Sequence, residues 1–234
     1  MRELPIASGA ILTPHAASVA VGDDWFELPS AGRTARPNAG RGAAAFVELP
    51  VGRALLRHYR RGGWLAKVNR DRYLWQGADA TRAFVELRLL DQMRALGLPV
   101  PEPIAARYQR SGTYYRAAIL VGRIDDAESL AERIARVPGD IDWRGIGATI
   151  AGFHAAGIDH ADLNAHNVLI DSAGAIWLVD FDRAERRAAG AWPAANLRRL
   201  RRSLDKLQAP LTVAHFESRA WASLLAGYAH GATQ

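Results

Sequence analysis

The feature that most constrains this chain is a pair of short apolar runs with polar residues crowded at both ends. Residues 168–170 (Val-Leu-Ile) and 176–179 (Ile-Trp-Leu-Val) are separated by Asp171-Ser172-Ala173-Gly174-Ala175, a turn composition, and so read as a buried hairpin. Before it stands His160-Ala161-Asp162-Leu163-Asn164-Ala165-His166-Asn167, and after it Asp180-Phe181-Asp182. An antiparallel hairpin returns the chain to where it set out, so Asp162, Asn167 and Asp180 are expected at one edge of a rigid ribbon. Two carboxylates and an amide oxygen form a hard-oxygen set suited to magnesium and, through it, to a polyphosphate. An isolated aspartate is more often a turn or cap residue; three such groups at matched positions favour chemistry.

Around this hairpin the chain reads as a strand-rich first half and a helix-rich second half. Residues 44–49 and 53–59 form an expected hairpin about Pro50-Val51-Gly52, and residues 104–108 and 114–121 a second about Ser111-Gly112. Between them a helix is expected from an Asp79 N-cap to near Leu96, stopped by Gly97 and Pro99. Glu86 shares a face with Leu90 and Met93, so its carboxylate points inward and needs a cationic partner. Further helices are expected over 127–137, 143–156, 196–208 and 215–228, the second with Trp143, Ile146, Ile150 and Phe153 as its apolar stripe and Gly157 as its C-cap. Residues 32–42, rich in Gly, Arg, Ala, Pro and Asn, read as a mobile loop. The boundary near residue 121 divides the chain into lobes 1–121 and 122–234.

His160-x-Asp162-Leu163-x-x-x-Asn167 resembles the H-R-D-L-x-x-x-N catalytic loop of protein-kinase-like enzymes, and Asp180-Phe181-Asp182 resembles their D-F-G. With Arg57-His58-Tyr59-Arg60-Arg61-Gly62-Gly63 and Gly97-Leu98-Pro99-Val100-Pro101 upstream, residues 38–208 resemble the Kdo kinases, the lipopolysaccharide-core kinase family of Gram-negative bacteria. The resemblance implies a two-lobed, protein-kinase-like α+β fold with a small antiparallel-sheet N-lobe and a reduced helical C-lobe. It implies ATP and magnesium in the cleft, with Asp162 taking or orienting the acceptor's proton and Asn167 and Asp180 holding the metal. It places Glu86 as the helix glutamate that holds a basic residue against the phosphates. That residue is Arg57, where the family pattern has lysine, with Lys67 as the alternative. Gly40-Arg41-Gly42 supplies the phosphate-covering loop through Gly40 and Gly42. Asp182 stands where the pattern has glycine, either adding a carboxylate near the metal or capping a turn.

Composition bears on the partners. The chain has 234 residues, a net charge of +6 and no cysteine, which removes disulfides and thiolate chemistry and fits a reducing compartment. The 52 residues after Asp182 contain no A-P-E sequence, so a small or glycan acceptor is expected rather than a protein. The resemblance implies the 4-hydroxyl of the Kdo sugar of Kdo-lipid IVA, at the cytoplasmic face of the bacterial inner membrane, with peripheral attachment of a monomer. Arg57, Arg60, Arg61, Arg70 and Arg72, and Arg198, Arg199, Arg201, Arg202 and Lys206, are clusters suited to an anionic surface. Against that, Leu197, Leu200, Leu204 and Leu207 form a helical stripe better explained by core contact, with the arginines as a solvated face. Alternatives are a kinase of heptose or another small molecule, and a non-catalytic kinase-like binding module. No nucleic-acid recognition motif is present. His154, His160 and His166 read as structural histidines rather than a metal site.

Overall fold

The computed structural model describes residues 1–15, 19–27, 43–60, 71–137, 139–208 and 214–231. The 32–42 loop with Gly40 and Gly42, and the segment carrying Lys67, Trp64, Arg61 and Arg70, lie outside the described residues. The chain forms two compact units, one of residues 1–92 and 101–123, the other of residues 93–100 and 124–234.

The first unit is built on an antiparallel sheet. Its strands are β1 (Arg2–Ile6), β2 (Gly9–Thr13), β3 (Ala43–Leu49), β4 (Gly52–His58), β5 (Tyr73–Leu74), β6 (Pro103–Ser111) and β7 (Tyr114–Gly122). The spatial order is β1-β2-β6-β7-β4-β3, with β5 pairing on β7. The two expected hairpins are β3–β4, in register Ala44↔Arg57, and β6–β7. Hydrophobic alternation gives no signal in residues 2–13, yet β1–β2 extends the sheet through β2 and β6. One face buries Ile11, Phe26, Leu56 and Leu120. Arg107, buried within the sheet, donates to the carboxylates of Asp23 (2.8 Å) and Glu27 (3.1 Å) and so clamps a 3-10 turn, Asp23–Phe26, against it. Helix α1 (Arg82–Ala95) buries Phe84, Leu87, Leu90 and Met93 together with Glu86, as the spacing predicts. Asp79 is not its cap: the helix begins three residues later, Val85 donates to the Thr81 carbonyl (3.0 Å), and the Asp79 carboxylate pairs with Arg88 at 2.5 Å on the exposed side.

In the second unit, β10 (Val168–Ile170) and β11 (Ile176–Leu178) form the expected hairpin in register Val168↔Leu178. Asp171 organises its turn by accepting from the N–H groups of Ala173 and Ala175 and from the Trp177 indole, each at 2.9 Å. That indole bond holds the Asp171 carboxyl below its usual range. The helix expected over 127–137 starts later. Residues 128–129 form β8 (Glu128–Ser129), a third strand beside β10, and Ser129 then caps α2 (Leu130–Arg136) in a reciprocal capping box with Glu132. Helix α3 (Trp143–Ala155) ends at Gly157, whose φ of +75° is available to glycine without strain. β9 (Ile158–Asp159) and β12 (Glu185–Arg186) pair, and α4 (Trp192–Gln208) and α5 (Ala214–Gly231) close the unit.

Helices α3 and α5 approach at backbone distance. A Cβ on Gly147 would stand 1.9 Å from the Leu224 carbonyl oxygen, and one on Gly227 would stand 2.0 Å from that of Arg144. These obstacles are main chain and cannot rotate aside. Gly147→Ala is therefore expected to destabilise the protein by about 2–3 kcal/mol through forced separation of the helices. Gly174→Ala, where a Cβ meets nothing within 4 Å, should incur only the strain of its φ of +82°. Urea denaturation of the two variants measures the difference.

Candidate active site

In the second unit, backbone pairing gathers the three polar residues predicted to act together. The Val179 N–H donates to the Asn167 carbonyl at 3.0 Å, one step beyond the β10–β11 ladder, so Asp180 leaves the hairpin beside Asn167. The Asn167 side-chain amide reaches back to the Asp162 carbonyl at 3.0 Å, and Asn164 donates to the same oxygen at 2.8 Å. This spends the NH2 of Asn167 on the loop and leaves its Oδ1 as the acceptor that can meet a cation. Asp180 adopts φ +66°, a left-handed conformation that aspartate tolerates better than most side chains, and the chain turns there. Its neighbour Phe181 is buried, stacked on Phe153 at 5.9 Å and tilted against His160 at 4.8 Å. The Asp162 carboxylate makes no hydrogen bond among the described residues. The oxygen donors of Asn167 and Asp180, with Asp162 beside them, fit a magnesium ion by their chemistry. Among the described residues no three His, Asp or Glu side chains are grouped as metal ligands would be.

His160 fixes this loop from inside. It is buried, and its Nε2 bonds the Val179 carbonyl at 2.9 Å, tying the catalytic-loop motif to the strand that carries Asp180. Its backbone N–H donates to Asn196 Oδ1 (3.0 Å), whose Nδ2 donates in turn to buried Asp159 (2.7 Å); the same carboxylate accepts from Arg187 at 3.0 Å. Two turns along α4, the Ser203 hydroxyl accepts from the Ala165 N–H at 3.1 Å. Helix α4 thus grips the loop at both ends. The sequence contained a signal for this: Asn196 and Ser203 interrupt the apolar face marked by Leu200 and Leu204.

In the first unit, half-buried Arg57 on β4 and buried Glu86 on α1 form a pair, Nη2 lying 2.5 Å from both carboxylate oxygens. The Tyr59 hydroxyl donates to Oε2 of the same carboxylate, and the Arg57 guanidinium lies 4.9 Å from the Tyr59 ring centre. Strand alternation puts residues 57 and 59 on one face, so Tyr59 was legible as a second partner. Glu86 is 3% exposed, and burying a carboxylate there is costly unless donors such as these replace its water. Trp75 is half-buried against Tyr108 (5.0 Å) and Arg110 (4.9 Å).

A catalytic-loop motif joined through a two-stranded ribbon to an Asp-Phe motif, together with a sheet arginine paired to a helix glutamate, defines a kinase-like phosphotransferase. The model of the lipopolysaccharide kinase (Kdo/WaaP) family matches residues 28–228, and the chain belongs to that family. It is 51% identical over 193 residues to the 3-deoxy-D-manno-octulosonic acid kinase of Stenotrophomonas maltophilia (strain R551-3), covering 81% of this chain and 78% of that protein. It is 50% identical over 186 residues to the protein of the same name from Xanthomonas oryzae pv. oryzae (strain PXO99A), covering 78% and 75%. Against that of Xylella fastidiosa (strain M23) it is 50% identical over 185 residues, covering 78% and 74%. The chain is accordingly a kinase of lipopolysaccharide core biosynthesis that phosphorylates a hydroxyl group, and a kinase family implies ATP as donor. Among the described residues no helix is long and apolar enough to cross a membrane.

One buried and two half-buried imidazoles set an acid limit on this scaffold. Burial lowers the pKa of His154, to about 4, and of His160 and His58. His154 packs between Trp192 of α4 and Tyr228 of α5, with Nδ1 2.9 Å from the tyrosine hydroxyl. Below pH 6.5 the unfolded chain binds protons that these groups refuse in the folded state. Their contribution to stability is complete above about pH 6.5 and declines as the pH falls toward 4. Urea midpoints should fall across that window, with a shallower slope for His154→Gln; an unchanged slope would show that His154 does not carry it.

Proposed function

We propose that this kinase transfers the γ-phosphate of ATP to the 4-hydroxyl of the Kdo sugar of Kdo-lipid IVA, at the cytoplasmic face of the inner membrane. The observation that carries the catalytic part is the gathering of Asp162, Asn167 and Asp180 by the Asn167–Val179 and Asn167–Asp162 hydrogen bonds. The sugar rests on the resemblance and on relatives that bear the name 3-deoxy-D-manno-octulosonic acid kinase.

In this mechanism the Asp162 carboxylate, which makes no hydrogen bond among the described residues, accepts the proton of the sugar hydroxyl as the hydroxyl oxygen attacks the γ-phosphorus and the bond to the β,γ-bridging oxygen breaks, releasing ADP. Asn167 and Asp180 would hold magnesium, which would supply neutralisation of the charge on the phosphate oxygens. His160 and Asn196 keep the loop backbone fixed, so little reorganisation accompanies transfer. In the first unit, Glu86 and Tyr59 hold the guanidinium of Arg57, the residue to which the resemblance gives the phosphate contact. An arginine fork serves where the family pattern has lysine, because it can bond a carboxylate and a phosphate at once. Lys67 remains the alternative phosphate contact, with Gly40 and Gly42 in the covering loop. Peripheral attachment as a monomer completes the reading.

Labelled ATP incubated with Kdo-lipid IVA should place one phosphate on the sugar's 4-hydroxyl. Label appearing only with heptose or another small acceptor would overturn the acceptor assignment. Asp162→Asn should keep the melting temperature and the magnesium-dependent stabilisation by an ATP analogue while lowering kcat by about 10²–10⁴-fold. Undiminished turnover would remove Asp162 from the mechanism.

A further inference from the structure

Helix α4 is divided lengthwise into two chemistries. At about 100° of rotation per residue, Arg198, Arg202, Lys206 and Arg199 fall within an arc of about 100°, while Asn196, Ser203, Leu200 and Leu204 occupy the far side. The far side is committed inward: Leu200 and Leu204 are buried, and Asn196 and Ser203 hold the catalytic loop. The four cations are all exposed, and among the described residues none of them has an ion pair or hydrogen bond. Only Arg201, at the border of the two faces, is neutralised, by Asp205 at 2.7 Å. Like charges at i and i+4, as in Arg198–Arg202 and Arg202–Lys206, oppose helix formation, and nothing in the described structure relieves them.

We propose that this cationic face of α4 is the surface by which the protein docks on the anionic phosphate groups of a lipid bilayer. The inference rests on the reading that the acceptor is carried by a lipid, and it names the residues that bring the protein to it. Charge complementarity selects the occupant: a straight row of unpaired cations about 12 Å long matches a flat sheet of phosphates. Attachment is electrostatic rather than inserted, since Leu200 and Leu204 of the same helix are buried in the core and Leu197 and Leu207 are half-buried. Because the opposite face fastens His160 and Ala165, docking through α4 also sets the orientation of the catalytic loop to the membrane.

The test is flotation of the full chain with vesicles containing one third phosphatidylglycerol in phosphatidylcholine, and with phosphatidylcholine alone. The quadruple variant Arg198→Gln, Arg199→Gln, Arg202→Gln, Lys206→Gln is compared with a charge-matched control, Arg2→Gln, Arg94→Gln, Arg144→Gln, Arg186→Gln. The wild type and control should bind the anionic vesicles and release them at high salt. The α4 variant, with an unchanged melting temperature, should bind several hundred-fold more weakly, at about five-fold per charge. The α4 variant should also lose phosphorylation of vesicle-embedded Kdo-lipid IVA but keep that of a deacylated, water-soluble form. Equal binding by the α4 variant, equal binding to neutral vesicles, or binding to a DNA duplex but not to vesicles would overturn the proposal. If α4-dependent vesicle binding holds while no Kdo acceptor is phosphorylated, the acceptor reading fails and the docking surface stands. If embedded acceptor is phosphorylated equally by wild type and variant, the surface fails and the acceptor stands.

Discussion

The second unit depends on one backbone closure, the Val179 N–H on the Asn167 carbonyl. A two-stranded ribbon is marginal alone, and this one is held on three sides. β8 pairs along β10, the Asp171 turn fixes the register, and His160 bonds the Val179 carbonyl, so the peptide groups on both sides of residue 179 are committed. With the strand end immobilised, the direction in which Asp180 leaves is set by its own left-handed φ and by the burial of Phe181. The chain positions of Asp162, Asn167 and Asp180 are thereby set by hydrogen bonds to the main chain and by an aromatic anchor.

The same economy governs Glu86. Stripping a carboxylate of water is costly unless donors replace it, and removal of one partner from a buried pair costs about 3–5 kcal/mol. Arg57 near the end of β4 and Tyr59 just past it supply such donors, one charged and one neutral. The tyrosine hydroxyl adds a hydrogen bond without adding charge, and its ring supports the guanidinium from the side. Arginine suits this position because its planar fork holds direction, whereas an ammonium on a flexible stem does not.

Much of this was legible from residue types and spacing. The β3–β4 and β6–β7 hairpins follow from alternation and turn residues, and α1 presents Glu86 inward because it shares a stripe with Leu90 and Met93. What escaped has physical reasons. β1 and β2 are short and carry mixed patterns, and their place in the sheet comes from pairing with β6, a long-range contact that local sequence does not encode. β8, β9 and β12 are two residues each, too short for any period to register. Asp79 offered a good cap, but Arg88 captured its carboxylate and the helix began later. Asn196 and Ser203 were visible as polar interruptions of a leucine face; that their partners are the backbone of residues 160 and 165 is a tertiary fact.

Helix α4 shows why the two competing readings of a Leu/Arg helix are not exclusive. An amphipathic helix that binds membranes by insertion must spend its apolar face on lipid, and here that face is already spent, with Leu200 and Leu204 in the core. Core contact and surface attachment would compete for one set of leucines but not for one set of arginines. Attachment through charge alone is weak per residue, additive and screened by salt, so it holds the protein at a surface while permitting release. The loop anchors stand on the opposite face of the same helix, so on the proposed attachment the orientation of the loop would follow without any moving part.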